Sequence, residues 1–300
     1  MTETRPPRQL ELPAADLRQA HAFCTLFAKV NARHFYYAFR FMPGRQRRAI
    51  HAVYAFCQKA DQLMDLEPDP HEKRLRLQER RQELDWLEGL LAGRSQKLPA
   101  DPILLALLDT LGRTPIPLEL FRALLDGLEM DLEPRPYATQ EELERYCWHV
   151  ASTVGRMVIV ILGSRDPAGP AFADRLGVAM QLTNMARDVL EDSREGRVYL
   201  PLDLLARHGL SVADVHAHRF TPALQAALRE FCGLAEQRYD EALALLPAGE
   251  RGRLKTALVM AGLYRPILAE LRQRDYNVFL GKVGYPIWRK LLIAVRILLS

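Results

Sequence analysis

Three side chains spaced by fours, Asn184, Asp188 and Asp192, stand in the run QLTNMARDVLEDSREGRVYLP, residues 181–201. On an α-helix that spacing stacks them on one face. Hard oxygen donors in one row suit Mg²⁺, which favours carboxylates, keeps several waters and commonly bridges to a phosphate. For an isolated pair of aspartates four apart, a solvated helix face with an Asp–Arg pair is the simpler reading. A second pair far upstream, Asp61 and Asp65, is also four apart and favours metal binding. Facing each other across a cavity, two such clusters would hold several Mg²⁺ ions. The metals would neutralise charge as it develops on a departing diphosphate. The rest of the cavity must then be apolar, to admit a hydrocarbon and shield a carbocation from water. Apolar and aromatic residues flank both clusters: Phe35, Tyr36, Phe39, Tyr54 and Phe56 near the first, and Val150, Val154, Met157, Ile161 and Met180 near the second.

The elements that must position these groups read as helices nearly throughout. An apolar, aromatic-rich segment runs from Leu17 to Phe41 and ends at Pro43-Gly44; a second covers Gln46 to Leu66. Pro70 to Leu91 is a charged helix whose narrow apolar face is Leu75, Leu84, Leu87 and Leu91. Pro102–Leu111 and Pro117–Met130 each carry proline near the start, where a missing N–H costs least. Thr139, with Glu142 three residues on, predicts a capping box opening a long helix to Leu162. After a turn over 163–170, the central helix begins near Ala171 and breaks at Gly196; Val212–Leu246 and Arg251–Arg274 follow. No stretch alternates with period two, and no repeat or linker is visible. The expectation is an all-α single domain over residues 1–300, a helical bundle around a central cavity, with residues 1–16 as a flexible N-terminus.

Composition narrows the function classes. With 49% hydrophobic and 26% charged residues the chain has material for a large core and is not a disorder candidate. A net charge of +4 permits contact with anionic lipid or diphosphate and carries no nucleic-acid footprint. Cys24, Cys57, Cys147 and Cys232 lie far apart, as small buried residues of a reducing compartment would. The N-terminus has no apolar signal region and no apolar run reaches the roughly 18–20 residues of a membrane span, so a cytoplasmic protein is expected. The histidines show no ligand spacing, and no Ser/His/Asp arrangement is present. Without a glycine-rich GxGxxG turn, an NADPH requirement has no sequence support.

Three blocks carry a resemblance. NARHFYYAFRFMPGRQRRAIHAVYAFCQKADQLMD resembles the opening motif of the squalene/phytoene synthase family, and DGLEMDLEPRPYATQEELERYCWHVASTVG its middle signature. QLTNMARDVLEDSREGRVYLP is similar to its second aspartate-rich motif almost without change. The blocks fall in the expected order, and the resemblance covers about Ala20 to Tyr276. It implies an isoprenoid-synthase helical bundle that joins two prenyl diphosphates head to head, through a cyclopropylcarbinyl diphosphate, with Mg²⁺ and loss of diphosphate. By the same resemblance, Asp61 and Asp65 serve one metal–diphosphate site, and Asn184, Asp188 and Asp192 a second. Gln181 shapes the cavity, and Phe35, Val150 and Val154 line it. Arg47 looks like the diphosphate-binding arginine, with Arg187 and Arg265 as further candidates. Tyr54, Tyr146, Tyr199 and Tyr264 stand where the family places tyrosines that contact substrate or diphosphate, and Tyr146 joins the aspartates as catalytic. The flavour of the first two blocks is that of the bacterial presqualene diphosphate synthases. The expected reaction therefore condenses two farnesyl diphosphates to presqualene diphosphate or a squalene-type C30 product. The enzyme alternative is phytoene synthesis from two geranylgeranyl diphosphates.

The first motif departs from the family's DDxxD, since Gln62 stands at its second position. Gln58 replaces a frequent arginine after the cysteine, and His34 a serine before the phenylalanine. Some relatives have lost catalysis and act as assembly factors, so a weakened family member acting by binding is the non-enzyme alternative. Oligomeric state is left open by the sequence. Residues 286–300, apolar with Trp288, Arg289, Lys290 and Arg296 interspersed, are too short to span a bilayer. They would either lie on the inner membrane face as a peripheral contact or pack on the bundle as a final helix.

Overall fold

A computed structural model describes residues 12–31, 39, 42–66 and 69–299, without the side chains at 64–66 and 287. The candidate residues Phe35 and His34, and the side chain of Asp65, lie outside the described residues. So do residues 1–11 of the N-terminus expected to be flexible; helix α1 already begins at Ala14. Among the described residues every regular element is helical, as the absence of period-two patterning requires.

The chain divides into two compact units. The first takes the chain up to Leu132, with Val160–Gly163. It holds α1 (Ala14–Asn31), α2 (Gly44–Leu66), α3 (Pro70–Leu91), α4 (Pro102–Arg113) and α5 (Leu118–Met130). Aspartates cap two of these helices. Asp69 accepts from the His71 N–H at 3.0 Å, and Asp101 from Ile103 at 2.7 Å and Leu104 at 3.3 Å. Each is followed by proline at the first helical position, and each cap contributes about 1 kcal/mol. Lys59 on α2 reaches Asp101 at 2.7 Å, so one carboxylate both starts α4 and ties it to α2. In the core Phe56 meets Phe121 edge to face at 5.5 Å. Helix α3 buries Leu77, Leu84, Leu87 and Leu90, whereas Leu75 is exposed. The expected apolar face was thus displaced at both ends, to Leu77 and Leu90, because the 3.6-residue period favours 77–84–87–90 over a stripe from 75 to 91.

The second unit comprises Glu133–Ile159 and Ser164 onward. The helix expected to run unbroken to Leu162 has three parts: α6 (Gln140–Cys147), a π-turn (Trp148–Ser152) and α7 (Thr153–Leu162). Its start is capped as predicted by Thr139, which accepts from the Glu142 N–H at 3.4 Å; Glu142 returns to the N–H of Ala138 rather than of Thr139. Next come α8 (Gly169–Arg187), α9 (Val189–Arg194), α10 (Leu202–Arg207) and α11 (Val212–His216). The unit closes with α12 (Pro222–Ala244), α13 (Lys255–Gln273) and α14 (Ile287–Leu299). The single helix expected over 212–246 is two. His218 takes a left-handed φ of 50°, and Thr221 caps α12 with Pro222 at its first position, a start signal present in the sequence. Helices α8 and α12 form the centre, with Phe172, Phe231 and Tyr239 essentially inaccessible. Glu144 on α6 holds Arg238 on α12 through three contacts of 2.7–3.1 Å.

One carboxylate fixes the π-turn. Asp174 on α8 accepts from Trp148 Nε1 at 3.0 Å and from Arg156 at 2.5 and 2.6 Å, while its backbone carbonyl accepts from Ser152 Oγ at 2.8 Å. The close fit requires glycine opposite. A Cβ on Gly177 would stand 2.5 Å from the Ser152 Cα and 2.7 Å from its nitrogen.

Candidate active site

In the second unit the row of donors sits where α8 gives way to α9. The helix does not run straight through, as its spacing predicted. It pauses at Asp188, whose φ and ψ are −104° and 16°. The i→i−4 hydrogen bonds nevertheless continue, from Asp188 to the Asn184 carbonyl at 2.9 Å and from Asp192 to the Asp188 carbonyl at 2.8 Å. Asn184, Asp188 and Asp192 therefore remain on successive turns. The chain then reverses at Gly196, with φ of 80°, and Arg197 N–H returns to the Asp192 carbonyl at 2.8 Å.

Each side chain of the row has a distinct setting. Asn184 donates from Nδ2 to Gln181 Oε1 at 3.4 Å, and its Oδ1 is buried with no hydrogen-bond partner. A buried orphan acceptor costs about 1–3 kcal/mol, so it marks a place where a donor or cation belongs. Asp188 is gripped by Arg187, whose Nε and Nη2 reach its two oxygens at 2.6 and 2.5 Å. Asp192 is half-buried, and burial pushes its carboxyl from 3.8 up to about 7. Arg197 opposes that rise, while Asp188, Glu195 and Glu191 add to it. Tyr264 on α13 is buried, which pushes its phenol up to about 12; Arg187 lowers it and Asp188 raises it, so it shares their electrostatic neighbourhood.

A divalent cation fits this donor set. It would supply the missing partner of Asn184 Oδ1 and offset the cost of charging Asp192, which burial sets first and the carboxylates of Asp188, Glu195 and Glu191 increase. Among the described residues no three His, Cys, Asp or Glu side chains converge for a metal. An Asn184-centred site lies outside that criterion, because one of its three donors is an amide.

An aromatic stack stands in the same unit. Tyr146 on α6 and Tyr199 after Gly196 lie 5.7 Å apart at 18°, and Tyr137 joins them at 5.4 and 6.3 Å. Backbone bonds from Leu202 to the Tyr137 carbonyl and from Asp203 to the Ala138 carbonyl hold the two loops together. Tyr137 is not among the candidate residues of the sequence; its place in the RPYAT block, beside the Thr139 cap, is the signal that points to it. Val150 lies in the π-turn and Val154 at the start of α7, both half-buried. Arg265 is held by Glu236 at 2.9 Å and Asp240 at 2.7 Å, and lies 5.7 Å over the Tyr239 ring. Its charge is therefore spent on α12.

In the first unit Asp61 and Asp65 share one uninterrupted helix, α2, one turn apart. Two of the three family departures, Gln58 and Gln62, touch this motif's surroundings. Gln58 donates to Asp61 Oδ2 at 3.0 Å while accepting from the Tyr54 hydroxyl at 2.8 Å. Gln62 donates to Asn31 Oδ1 at 2.9 Å and so ties α2 to α1. Arg47 is elsewhere. Fourteen residues before Asp61, it lies roughly 21 Å back along α2. It lines an open cavity of about 1090 Å³ with Arg18, Lys29, Arg45, Arg48 and Arg113. In the same cavity wall His51 is pushed down to about 4, by burial first and by Arg47 second.

The geometry defines a class, an all-helical protein with a hard-oxygen row suited to Mg²⁺ and a diphosphate. A family model described as squalene/phytoene synthase matches residues 28–289, and the chain belongs to that family. It is therefore prenyltransferase-type, in a family that joins prenyl diphosphates head to head and is generally Mg²⁺-dependent. A phytoene synthase of Arthrospira platensis is 34% identical over 289 residues, 91% of this chain and 90% of its own length. A dehydrosqualene synthase solved in complex with ligand superposes with a TM-score of 0.80 at 31% identity, over 94% of this chain and 96% of that one. Squalene synthase HpnC from Alicyclobacillus acidocaldarius gives 0.78 at 27% identity, over 89% and 97%.

Proposed function

We propose that this chain condenses two allylic prenyl diphosphates head to head, through a cyclopropylcarbinyl diphosphate, using Mg²⁺. The observation that carries the reading is Asn184 Oδ1, buried and unsatisfied one turn from Asp188 and two from Asp192. A metal held by Asn184, Asp188 and Asp192, with a counterpart at Asp61 and Asp65, supplies the positive charge that makes diphosphate a leaving group. Gln181 fixes which way the Asn184 amide faces by occupying its nitrogen. Arg187 holds Asp188 in one rotamer and stands ready for phosphate oxygens. The faces of Tyr146 and Tyr199 suit a developing carbocation, which they stabilise without a nucleophile that would trap it. The proton lost when the cyclopropane closes passes to the released diphosphate.

For chain length, the phytoene synthases that match this chain nearly end to end favour two geranylgeranyl diphosphates and a C40 product. The farnesyl reading expected from the sequence motifs stands second, supported by the dehydrosqualene and squalene synthase structures. Incubating the purified protein with each diphosphate, with and without Mg²⁺, and extracting lipids for mass spectrometry tests both. A metal-dependent C40 product supports the first reading and a C30 product the second. Folded protein that yields neither would turn the assignment to a binding or assembly role.

A further inference from the structure

Helix α14 has two faces, and only one of them is used inside the unit. Ala294 is buried, and Ile293 and Ile297 pack on α13 against Gly262. A Cβ at that glycine would stand 2.4 Å from Ile297 Cδ1 and 3.2 Å from Ile293 Cγ2. Tyr285, just before the helix, hydrogen-bonds the Leu263 carbonyl, and Lys255 Nζ reaches the Leu298 carbonyl at 2.8 Å. Docking is therefore specific, and the helix is held at both ends.

The other face is apolar and open. Trp288 is 64% exposed, Leu291 40%, Leu292 62%, Val295 42% and Leu299 82%. At 3.6 residues per turn these five fall within an arc of roughly 100°, bordered on one side by Arg289 and Arg296. Between Leu280 and Leu299 the chain carries Lys282, Arg289, Lys290 and Arg296 and not one acidic residue. Thirteen residues of helix span roughly 20 Å, short of the roughly 30 Å hydrocarbon core, so α14 cannot cross a bilayer.

We propose that the Trp288–Leu292–Val295–Leu299 face of α14 docks on an anionic lipid surface, lying in its plane. The docked face of the helix fixes the open stripe to the second unit, so lipid contact orients that unit. On the stripe's edge Arg289 is held at 2.6 Å by Glu270 of α13, so Arg296 is the cation that meets anionic headgroups, and an indole at the stripe's start suits the interface. A second copy of this chain fits less well. A two-fold contact would press two like-charged helices together, and the neighbouring carboxylate of Glu270 offsets Arg289 alone. This docking is independent of the reaction assigned above, because its readout is binding alone.

The full-length protein is mixed with phosphatidylcholine vesicles, with or without phosphatidylglycerol, and partitioning is followed by co-sedimentation. Quenching by brominated lipid reports on Trp288. The paired substitution Leu292→Gln and Val295→Gln alters only exposed side chains, and circular dichroism confirms that its fold is kept. Phosphatidylglycerol should raise partitioning about tenfold or more, the effect should fade with salt, and the paired variant should lose about tenfold. Equal partitioning of variant and parent would overturn the proposal. So would a parent dimer that the same substitutions split, which would make the face a contact between copies.

Discussion

Gln58 Nε2 donates to Asp61 Oδ2 at 3.0 Å, one turn along the helix that carries the first aspartate pair. A neutral amide thus holds a carboxylate at a place where the family often has arginine. The pair keeps its negative charge undiminished for a cation, but the arginine's own charge for phosphate is gone. Gln62 has the complementary effect, since it removes a carboxylate and spends its amide on Asn31.

Replacing Gln62 by Asp should therefore lower the Mg²⁺ concentration for half-maximal diphosphate release about 3–10-fold, the usual effect of an added charge at a carboxylate site. Loss of the Asn31 contact should cost about 1 kcal/mol of stability or less, because the bond is exposed. A Mg²⁺ titration of initial rates decides it. An unchanged half-activation point would remove the first pair from metal binding.

The pH dependence of stability should report on Asp192. Its folded value of about 7 lies above the unfolded 3.8, so the folded chain binds more protons between those limits. Metal-free protein should then lose stability as pH rises from about 4 to about 7 and level off above. Allowing for partial solvation, the loss is on the order of 1–2 kcal/mol. Calorimetry in a chelator should show Asp192→Asn melting higher than the parent near about pH 8, with the gap narrowing towards about pH 5. Stabilisation by Mg²⁺ should run the other way and grow with pH, since the metal competes with the same proton.

How much of this was legible beforehand depends on whether the signal was local. Pro70, Pro102, Thr139 and Gly196 mark helix ends through their own backbone chemistry, and each reads directly from the sequence. The two aspartate clusters were equally plain, because spacing by four is itself the structural statement. Other features needed partners distant in sequence. The π-turn at Trp148–Ser152 is held by Asp174, 22 residues beyond Ser152, and no pattern within 148–152 announces it. Motif position singles out Arg47 but does not show the basic cavity wall that it shares with Arg18, Lys29, Arg45, Arg48 and Arg113, roughly 21 Å along α2 from Asp61. The fate of residues 286–300 was left between two readings, and the structure shows packing on one face with the other left exposed.

Asn184→Leu separates binding from folding. The leucine is nearly isosteric and removes a buried acceptor that has no partner in the metal-free protein, so stability should change by about 1 kcal/mol or less. Mg²⁺-dependent turnover should nevertheless fall about 100-fold, the upper range for disturbing a metal's surroundings. Parallel chemical denaturation and rate measurements test the split. Loss of both together would mean that Asn184 is a packing residue.

The same substitution should have opposite signs at two helical glycines. At Gly177 an added methyl meets Ser152 at its Cα, nitrogen and Oγ, all within 2.7 Å, and two of those atoms are backbone. That backbone cannot retreat cheaply, because Asp174 holds the π-turn through Trp148, Arg156 and Ser152 at once. Gly177→Ala should therefore destabilise by about 3 kcal/mol or more, an overpacking cost with nowhere to relax. At Gly89, inside α3, nothing lies within 4 Å of the added carbon. Gly89→Ala should stabilise by about 0.5–1 kcal/mol by lowering the entropy of the unfolded chain. Urea unfolding of the two variants beside the parent measures both. A tolerated Gly177→Ala would show that α8 and the π-turn do not meet as closely as these distances state, and would release the constraint that positions Val150 and Val154.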